Sequence, residues 1–283
     1  MKCILTVAGL GTRLLPLTKE IPKEMLPVYS NSKKGNLILK PIIQVIFESL
    51  YQYNIKDFCF IVGRTKKSVE KHFTPDKNLI KILNDKKKNK LAQILLKFFL
   101  KLEKSNIVFT QQPKPIGFGD AIFRGKKFVI KEKYFLLHAG DDIVISNKNK
   151  HLKRLENSFK KYNAEIAFLV EKVKNPTQYG VIEGIFLEKG VIDVKKMVEK
   201  PKRPRSNLAI IAIYIFKPTI FNYLSQAKKN SSSEKQLATA FNIALKKKAR
   251  IIGVILENNE KRIDIGTPEN YAKFLLSSKS SIN

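Results

Sequence analysis

The 283-residue chain carries 54 lysines and arginines against 24 acidic residues, a net charge of +30, with 43% hydrophobic residues and two cysteines. That length allows one large α/β domain or two small ones, with enough apolar residues for a sizeable core. No stretch approaches the roughly 20 continuous apolar residues of a membrane span, and buried thiols are expected rather than a framework of disulfides because Cys3 and Cys59 both sit in strand-like apolar segments.

Met1-Lys2-Cys3-Ile4 runs straight into a strand-like segment without a cleavage pattern, and two buried thiols suit a reducing compartment, so a cytoplasmic protein is expected. The charge first suggests nucleic acid or an anionic membrane. Only eight of the 54 basic residues are arginine, however, and the lysines are dispersed apart from Lys86–Lys88 and Lys246–Lys248. With Ile, Asn and Phe also abundant, the skew is that of AT-rich coding. A solvated lysine-rich surface is expected rather than a nucleic-acid partner, and it still attracts small phosphorylated substrates.

In chain order, strands are expected at Lys2–Ala8, Asp57–Val62, Asn106–Thr110, Tyr134–His138, Glu165–Glu171, Val191–Val198, Leu208–Phe216 and Ile251–Leu256. Helices are expected at Ile42–Tyr53, Gly119–Phe128, Lys148–Tyr162, Lys235–Lys247 and Pro268–Leu276. Between Asn78 and Glu103, Leu91, Ile94, Leu95, Phe98 and Leu102 mark one helical face, read as packing onto the body or a sister subunit rather than onto a membrane surface. Tyr179–Gly184 and Leu187–Val191 suggest hairpins, Pro201–Ser206 a polar loop, and the last six or seven residues a disordered tail. The alternation predicts a single α/β domain over 1–283, with a mixed, mostly parallel sheet flanked by helices. This domain divides into a first part of about 1–145 and an elaborated second part of about 146–276.

The first strand runs into Gly9-Leu10-Gly11-Thr12-Arg13. This is neither a P-loop, which needs a Gly-Lys-Ser/Thr ending, nor a dinucleotide fingerprint, since Leu14 stands where the third glycine belongs. Two glycines leave backbone amides free to face an anion, Arg13 offers a fixed cationic fork, and Lys23 follows the restricting ring of Pro22. The glycines alone fit a surface turn equally well.

The string Gly9-x-Gly11-Thr12-Arg13-x-Leu15-Pro16-x-Thr18-Lys19-x-x-Pro22-Lys23-Glu24-Met25-Leu26-Pro27 resembles the signature of UTP–glucose-1-phosphate uridylyltransferases, among the sugar-nucleotide pyrophosphorylases. Further matches keep the family's order from residue 2 to about 275. The resemblance implies a Rossmann-like nucleotidyltransferase fold and Mg²⁺-dependent transfer of a uridylyl group. A phosphate oxygen of glucose 1-phosphate attacks the α-phosphorus of UTP in line, giving UDP-glucose and pyrophosphate. The attacking phosphate is already ionised, so alignment and charge neutralisation suffice. By resemblance, Ala8, Gly9, Gly11 and Thr12 hold nucleotide, while Arg13 and Lys23 grip the triphosphate. A homodimer or homotetramer is the implied assembly.

The same resemblance assigns four later segments. In Gln111-Gln112-Pro113-Lys114-Pro115-Ile116-Gly117-Phe118-Gly119-Asp120-Ala121, Gln112 and Gly117 match the residues that read the pyrimidine base. In His138-Ala139-Gly140-Asp141-Asp142, Asp141 matches a metal-binding aspartate, with Asp142 in support. Its partner is Asp264, in Arg262-Ile263-Asp264-Ile265-Gly266-Thr267-Pro268. An Asp pair also caps turns, and Asp264 could cap the helix at Pro268. On the sugar side, Gly180 in Tyr179-Gly180-Val181-Ile182-Glu183, with Glu199 and Lys200, matches hexose-phosphate contacts. Read without the family, Glu199-Lys200 is an ordinary exposed ion pair.

Three departures stand out. Val7 replaces an alanine, adding two methyls near the nucleotide; Asp120 stands where His or Gln is usual; and Thr239, in Glu234-Lys235-Gln236-Leu237-Ala238-Thr239-Ala240, replaces an aspartate. The nearest alternative is the same chemistry with dTTP, or dual specificity. A distant one is a non-catalytic subunit that binds RNA or a translation factor, which would be marked by loss of the charged site residues.

Overall fold

The computed structural model describes residues 1–31, 37–63, 67–230 and 236–280. The first half contains β1 (Cys3–Val7), a hairpin of β2 (Pro27–Asn31) and β3 (Leu37–Pro41), α1 (Ile42–Gln52) and β4 (Asp57–Gly63). After these come α2 (Lys67–His72), α3 (Lys77–Asp85), α4 (Asn89–Glu103), β5 (Asn106–Gln112), α5 (Phe118–Arg124), α6 (Lys126–Val129) and β6 (Phe135–Ala139). The second half begins with β7 (Asp142–Ile145), α7 (Lys150–Lys161), β8 (Ile166–Lys172), β9 (Gly180–Glu188), β10 (Val191–Glu199) and β11 (Leu208–Phe216). It ends with α8 (Ile220–Asn230), α9 (Gln236–Lys246), β12 (Ile251–Ile255), β13 (Lys261–Asp264) and α10 (Pro268–Ser280).

Nine strands form one sheet in the order β5-β4-β1-β6-β11-β8-β12-β10-β9. The parallel pairs are β5–β4, β4–β1, β1–β6 and β8–β12; the rest of the sheet is antiparallel, and β9 also reaches β11. Strands such as Cys3–Val7 and Phe135–Ala139 are buried at every position, as expected when helices cover both faces. Alternation sorts the side chains. Leu5, Val7, Phe58 and Phe60 pack under α1, α4 and α7, while Ile4, Cys59, Ile61 and Leu137 pack under α5, α8 and α9.

Several elements differ from the sequence reading. The helix expected over Gly119–Phe128 breaks at Gly125, where a Cβ would come within 2.4 Å of Ile4 Cδ1. On α4, Phe98 and Leu102 do pack onto the body, but Leu91 is exposed and Ala92 is buried in its place. The last helix runs to Ser280, past the point where the tail was expected to begin. Glu234 and the expected helix start at Lys235 lie outside the described residues. Cys3 and Cys59 are buried, free thiols. Among the described residues, no helix is long and apolar enough to cross a membrane.

Registers align the ends of the parallel strands. Val7 lies opposite Val62, Gly63 opposite Gln112, and Thr6 opposite Ala139. The chain passes from β1 outward to β4 and β5, then returns to the other side of β1 as β6. That reversal opens a crevice beyond the strand ends, the usual ligand position in α/β sheets. The loops after β1, β5 and β6 all emerge there.

Candidate active site

A cavity of about 340 Å³ fills this crevice, and its walls include Ala8, Gly9, Gly11, Thr12, Lys23, Gln112, Gly117, Phe118 and Asp141. A second space of about 360 Å³ adjoins it through Ala8, Gly9, Thr12 and Gln112. Eight residues selected from the sequence therefore meet at one place, drawn from three loops.

Lys23 lies over the glycine loop: a Cβ on Gly9 would sit 3.6 Å from its Nζ. The ammonium donates to Asp141 Oδ2 at 2.5 Å. Burial alone would pull Lys23 down, but Asp141, Glu24 and Asp264 outweigh it and hold the ammonium above its ordinary pKa. It is a fixed positive charge at neutral pH.

Asp141 reaches the crevice because Gly140 has no side chain. The Gly140 amide donates to Thr6 O at 2.9 Å, and a Cβ there would approach Val7 Cγ1 to 2.5 Å. Val7 is fully buried against this turn, so its extra methyls fill core space and are not among the walls of the 340 Å³ cavity.

The two aspartates from distant segments meet at a small ladder. β13 pairs antiparallel with β7, with Asp264 opposite Asp142, and the Ile265 amide reaches Asp141 O at 3.4 Å. Asp142 is fully engaged: Arg262 donates to its two oxygens at 2.7 and 3.1 Å, and the Ala212 amide donates to Oδ2 at 3.1 Å. Asp264 is pushed above the ordinary carboxylate range by burial and by Asp142 and Asp141, against Arg262 and Arg13. Arg13 is an exposed residue whose guanidinium reaches this corner, with Nη2 3.0 Å from a Cβ built on Gly266. Lys23, Arg13, Asp141 and Asp264 thus share one neighbourhood.

The residues expected on the sugar side come together at the β9–β10 pair. Gly180 and Glu199 are opposite partners across β9–β10, and a Cβ on Gly180 would meet Glu199 Oε2 at 2.9 Å. Lys200 adopts a left-handed conformation with φ 42°, its amide donating to Tyr179 O. Burial and then Glu199, with Asp142, raise Tyr214, whose ring also contacts Phe118 in the cavity wall. Tyr214 thus lies within electrostatic reach of both Glu199 and Asp142. Neither Gly180, Glu199, Lys200 nor Asp264 lines the 340 Å³ cavity itself.

A larger cleft of about 930 Å³ beside α7 and β12 contains none of these residues. Of the cations that line it, Arg154 pairs with Glu257 and Glu260, and Lys161 with Glu188.

The nucleotidyl transferase family profile matches residues 2–280. The chain belongs to this family. A protein of Methanocaldococcus jannaschii, provisionally assigned as a UTP–glucose-1-phosphate uridylyltransferase, is 38% identical to this transferase over 275 residues, covering 96% of this chain and 90% of that one. The UTP–glucose-1-phosphate uridylyltransferase of Staphylococcus epidermidis is 34% identical with the same coverage. A crystal structure of apo UDP-glucose pyrophosphorylase superposes with a TM-score of 0.84 at 32% identity, covering 99% of both chains.

Sequence reasoning missed the transferase's Arg262, which ties Asp142, Asp264 and the Tyr179 ring together at distances of 2.7, 3.8 and 5.1 Å. The signal was present: Arg262 and Asp264 are two apart, and so share one face of a strand.

Proposed function

We propose that this nucleotidyl transferase converts UTP and glucose 1-phosphate into UDP-glucose and pyrophosphate, with Mg²⁺. The observation that carries the reading is the convergence of Gly9, Gly11, Thr12, Lys23, Gln112, Gly117 and Asp141 on one cavity at the strand ends. The uridylyltransferase relatives support the choice of substrates.

A sugar-phosphate oxygen bonds to the α-phosphorus while the bond from that phosphorus to the β-bridging oxygen breaks. The electron pair leaves with pyrophosphate, and no proton need move. Lys23, with Arg13, neutralises charge building on the phosphoryl oxygens, and the amides of Gly9–Gly11 orient the chain of phosphates. Gln112 and Gly117 take the base. Gly180 and Glu199 take sugar hydroxyls, and Lys200 takes the sugar phosphate.

The donor set fits Mg²⁺. Asp141 and Asp264 supply hard oxygen ligands, Arg262 already neutralises Asp142, and the crowding that raises Asp264 is what a cation relieves. Among the described residues, no three His, Cys, Asp or Glu side chains are grouped to hold a metal alone. One or two carboxylates completed by substrate phosphates is the usual Mg²⁺ arrangement. When bound, the ion would supply Lewis-acid stabilisation of phosphate charge.

A pyrophosphate-release matrix of four NTPs against three sugar phosphates tests the proposal. UTP with glucose 1-phosphate should give the highest kcat/KM, and dTTP measured beside it reports tolerance of a 5-methyl. Absence of turnover with every pair would reject the reading. The non-catalytic alternative requires a cleft without its charged groups, whereas Lys23 and Asp141 are hydrogen-bonded in this one.

A further inference from the structure

We infer that Asp120 selects the base by dictating which atom of the Gln112 amide faces it, making the pocket an acceptor for a pyrimidine N3–H. The inference rests on the reading of Gln112 as the base contact.

Gln112 ends β5 and is buried, and α5 begins six residues later with Asp120 in its first turn. Gln112 Nε2 lies 3.0 Å from Gly117 O and 3.0 Å from Asp120 Oδ2. Both neighbours are acceptors, so both amide hydrogens are committed. Reversing the amide would set Oε1 against a carbonyl oxygen and a carboxylate, losing two hydrogen bonds and adding repulsion. The orientation is therefore set by chemistry. Asp120 is held in turn by Arg124, whose Nε lies 3.3 Å from the same Oδ2. Gly117 presents its carbonyl inward from φ 106°, ψ 168°, a conformation open to glycine.

Oε1 is the atom left for a ligand. Among the described residues, the only sealed side-chain polar atom without a partner is His151 Nδ1, so Oε1 is not shut into the core, and Gln112 lines both adjoining cavities. An acceptor there takes the N3–H of uracil or thymine. It meets the unprotonated N3 of cytosine as a second acceptor, which leaves both buried groups unsatisfied. Uracil-type bases are chosen over cytosine by one oriented amide, with Asp120 as the positioning residue.

The test is the ratio of kcat/KM for UTP over CTP with glucose 1-phosphate. The wild type should favour UTP by about 10² or more, as expected where a polar site meets the wrong partner. Asp120→Asn can donate to Gln112 Oε1 and so permits the reversed amide; the ratio should fall about tenfold or more, mostly through a higher KM for UTP. Arg124→Gln, which spares Asp120, should leave the ratio within about twofold. A ratio unchanged in Asp120→Asn overturns the inference. N3-methyl-UTP tests the same contact without a variant: it should compete with UTP at least about 30-fold more weakly than unmodified nucleotide, and equal competition overturns the acceptor assignment. Gln112→Ala separates the two levels. Collapse of the ratio there, with Asp120→Asn unaffected, removes only the role of Asp120; no change in Gln112→Ala removes Gln112 as the base contact.

Discussion

Replacing Arg262 by Met should be among the most damaging single changes to this transferase. The guanidinium and the Asp142 carboxylate are each almost fully buried, with side-chain exposures of 7% and 6%, and two hydrogen bonds at 2.7 and 3.1 Å join them. Burial alone would lower Arg262, yet Asp142, Asp264 and Glu171 raise it far above its ordinary value, so it is always charged. Among the described residues, removing it leaves Asp142 buried with only the Ala212 amide as donor. Breaking such a pair costs about 3–5 kcal/mol, which for a chain of this size corresponds to roughly 6–20 °C in Tm. The double variant Arg262→Met/Asp142→Leu removes both charges of the pair and strands the Ala212 amide, at about 1–3 kcal/mol, while Glu171 and Asp264 lose one counter-charge but also the repulsion of Asp142. Thermal and urea unfolding by circular dichroism at neutral pH should therefore rank wild type above the double variant, and the double variant above the single one. A single variant that melts within about 2 °C of wild type, against the loss expected for a buried pair, would refute the reasoning.

Lys23→Ala should lower kcat by roughly 10²–10³ in the pyrophosphate assay, the range for one preorganised charge; near-normal kcat removes Lys23 from the mechanism. Gly140→Ala forces a Cβ to within 2.5 Å of Val7 Cγ1 and 3.0 Å of Thr6 O, so it should cost about 1–3 kcal/mol of stability and raise the Mg²⁺ requirement by displacing Asp141. Burial, helped by His138 and Arg154, lowers His151 to about 4. Between its unfolded pKa near 6.5 and that value, the unfolded chain binds a proton that the fold excludes, so His151 costs stability progressively as pH falls through this window. His151→Leu should flatten urea-unfolding stability across the window by up to about 3 kcal/mol, and an unchanged slope would place the acid sensitivity elsewhere.

Legibility in the sequence followed burial. Cys3–Val7, Phe135–Ala139 and Leu208–Phe216 are apolar enough to announce themselves as strands sealed on both faces. The strands β7 and β13 have four residues each, β13 is charged at three of them, and the two pair with each other. The hairpin of β2 and β3 was hidden for a related reason, since Leu37 and Leu39 face solvent and break the expected alternation. Helix α8 was readable and overlooked: Ile220, Phe221, Tyr223, Leu224 and Ala227 follow helical spacing and are buried. The site residues, and the pairing of Asp141 with Asp264, were legible through the resemblance, but the contacts that hold them in place were not. The Arg262–Asp142 pair spans 120 positions, and the Gln112–Asp120 contact needs the turn at Gly117 to bring its partners together.

The most direct test of the account is a Mg²⁺ titration of pyrophosphate release from UTP and glucose 1-phosphate, comparing wild type with Asp264→Asn. If carboxylates from the two ends of the chain hold the ion, the half-saturating Mg²⁺ concentration should rise by about tenfold or more on losing one ligand charge. A superimposable titration would contradict the account.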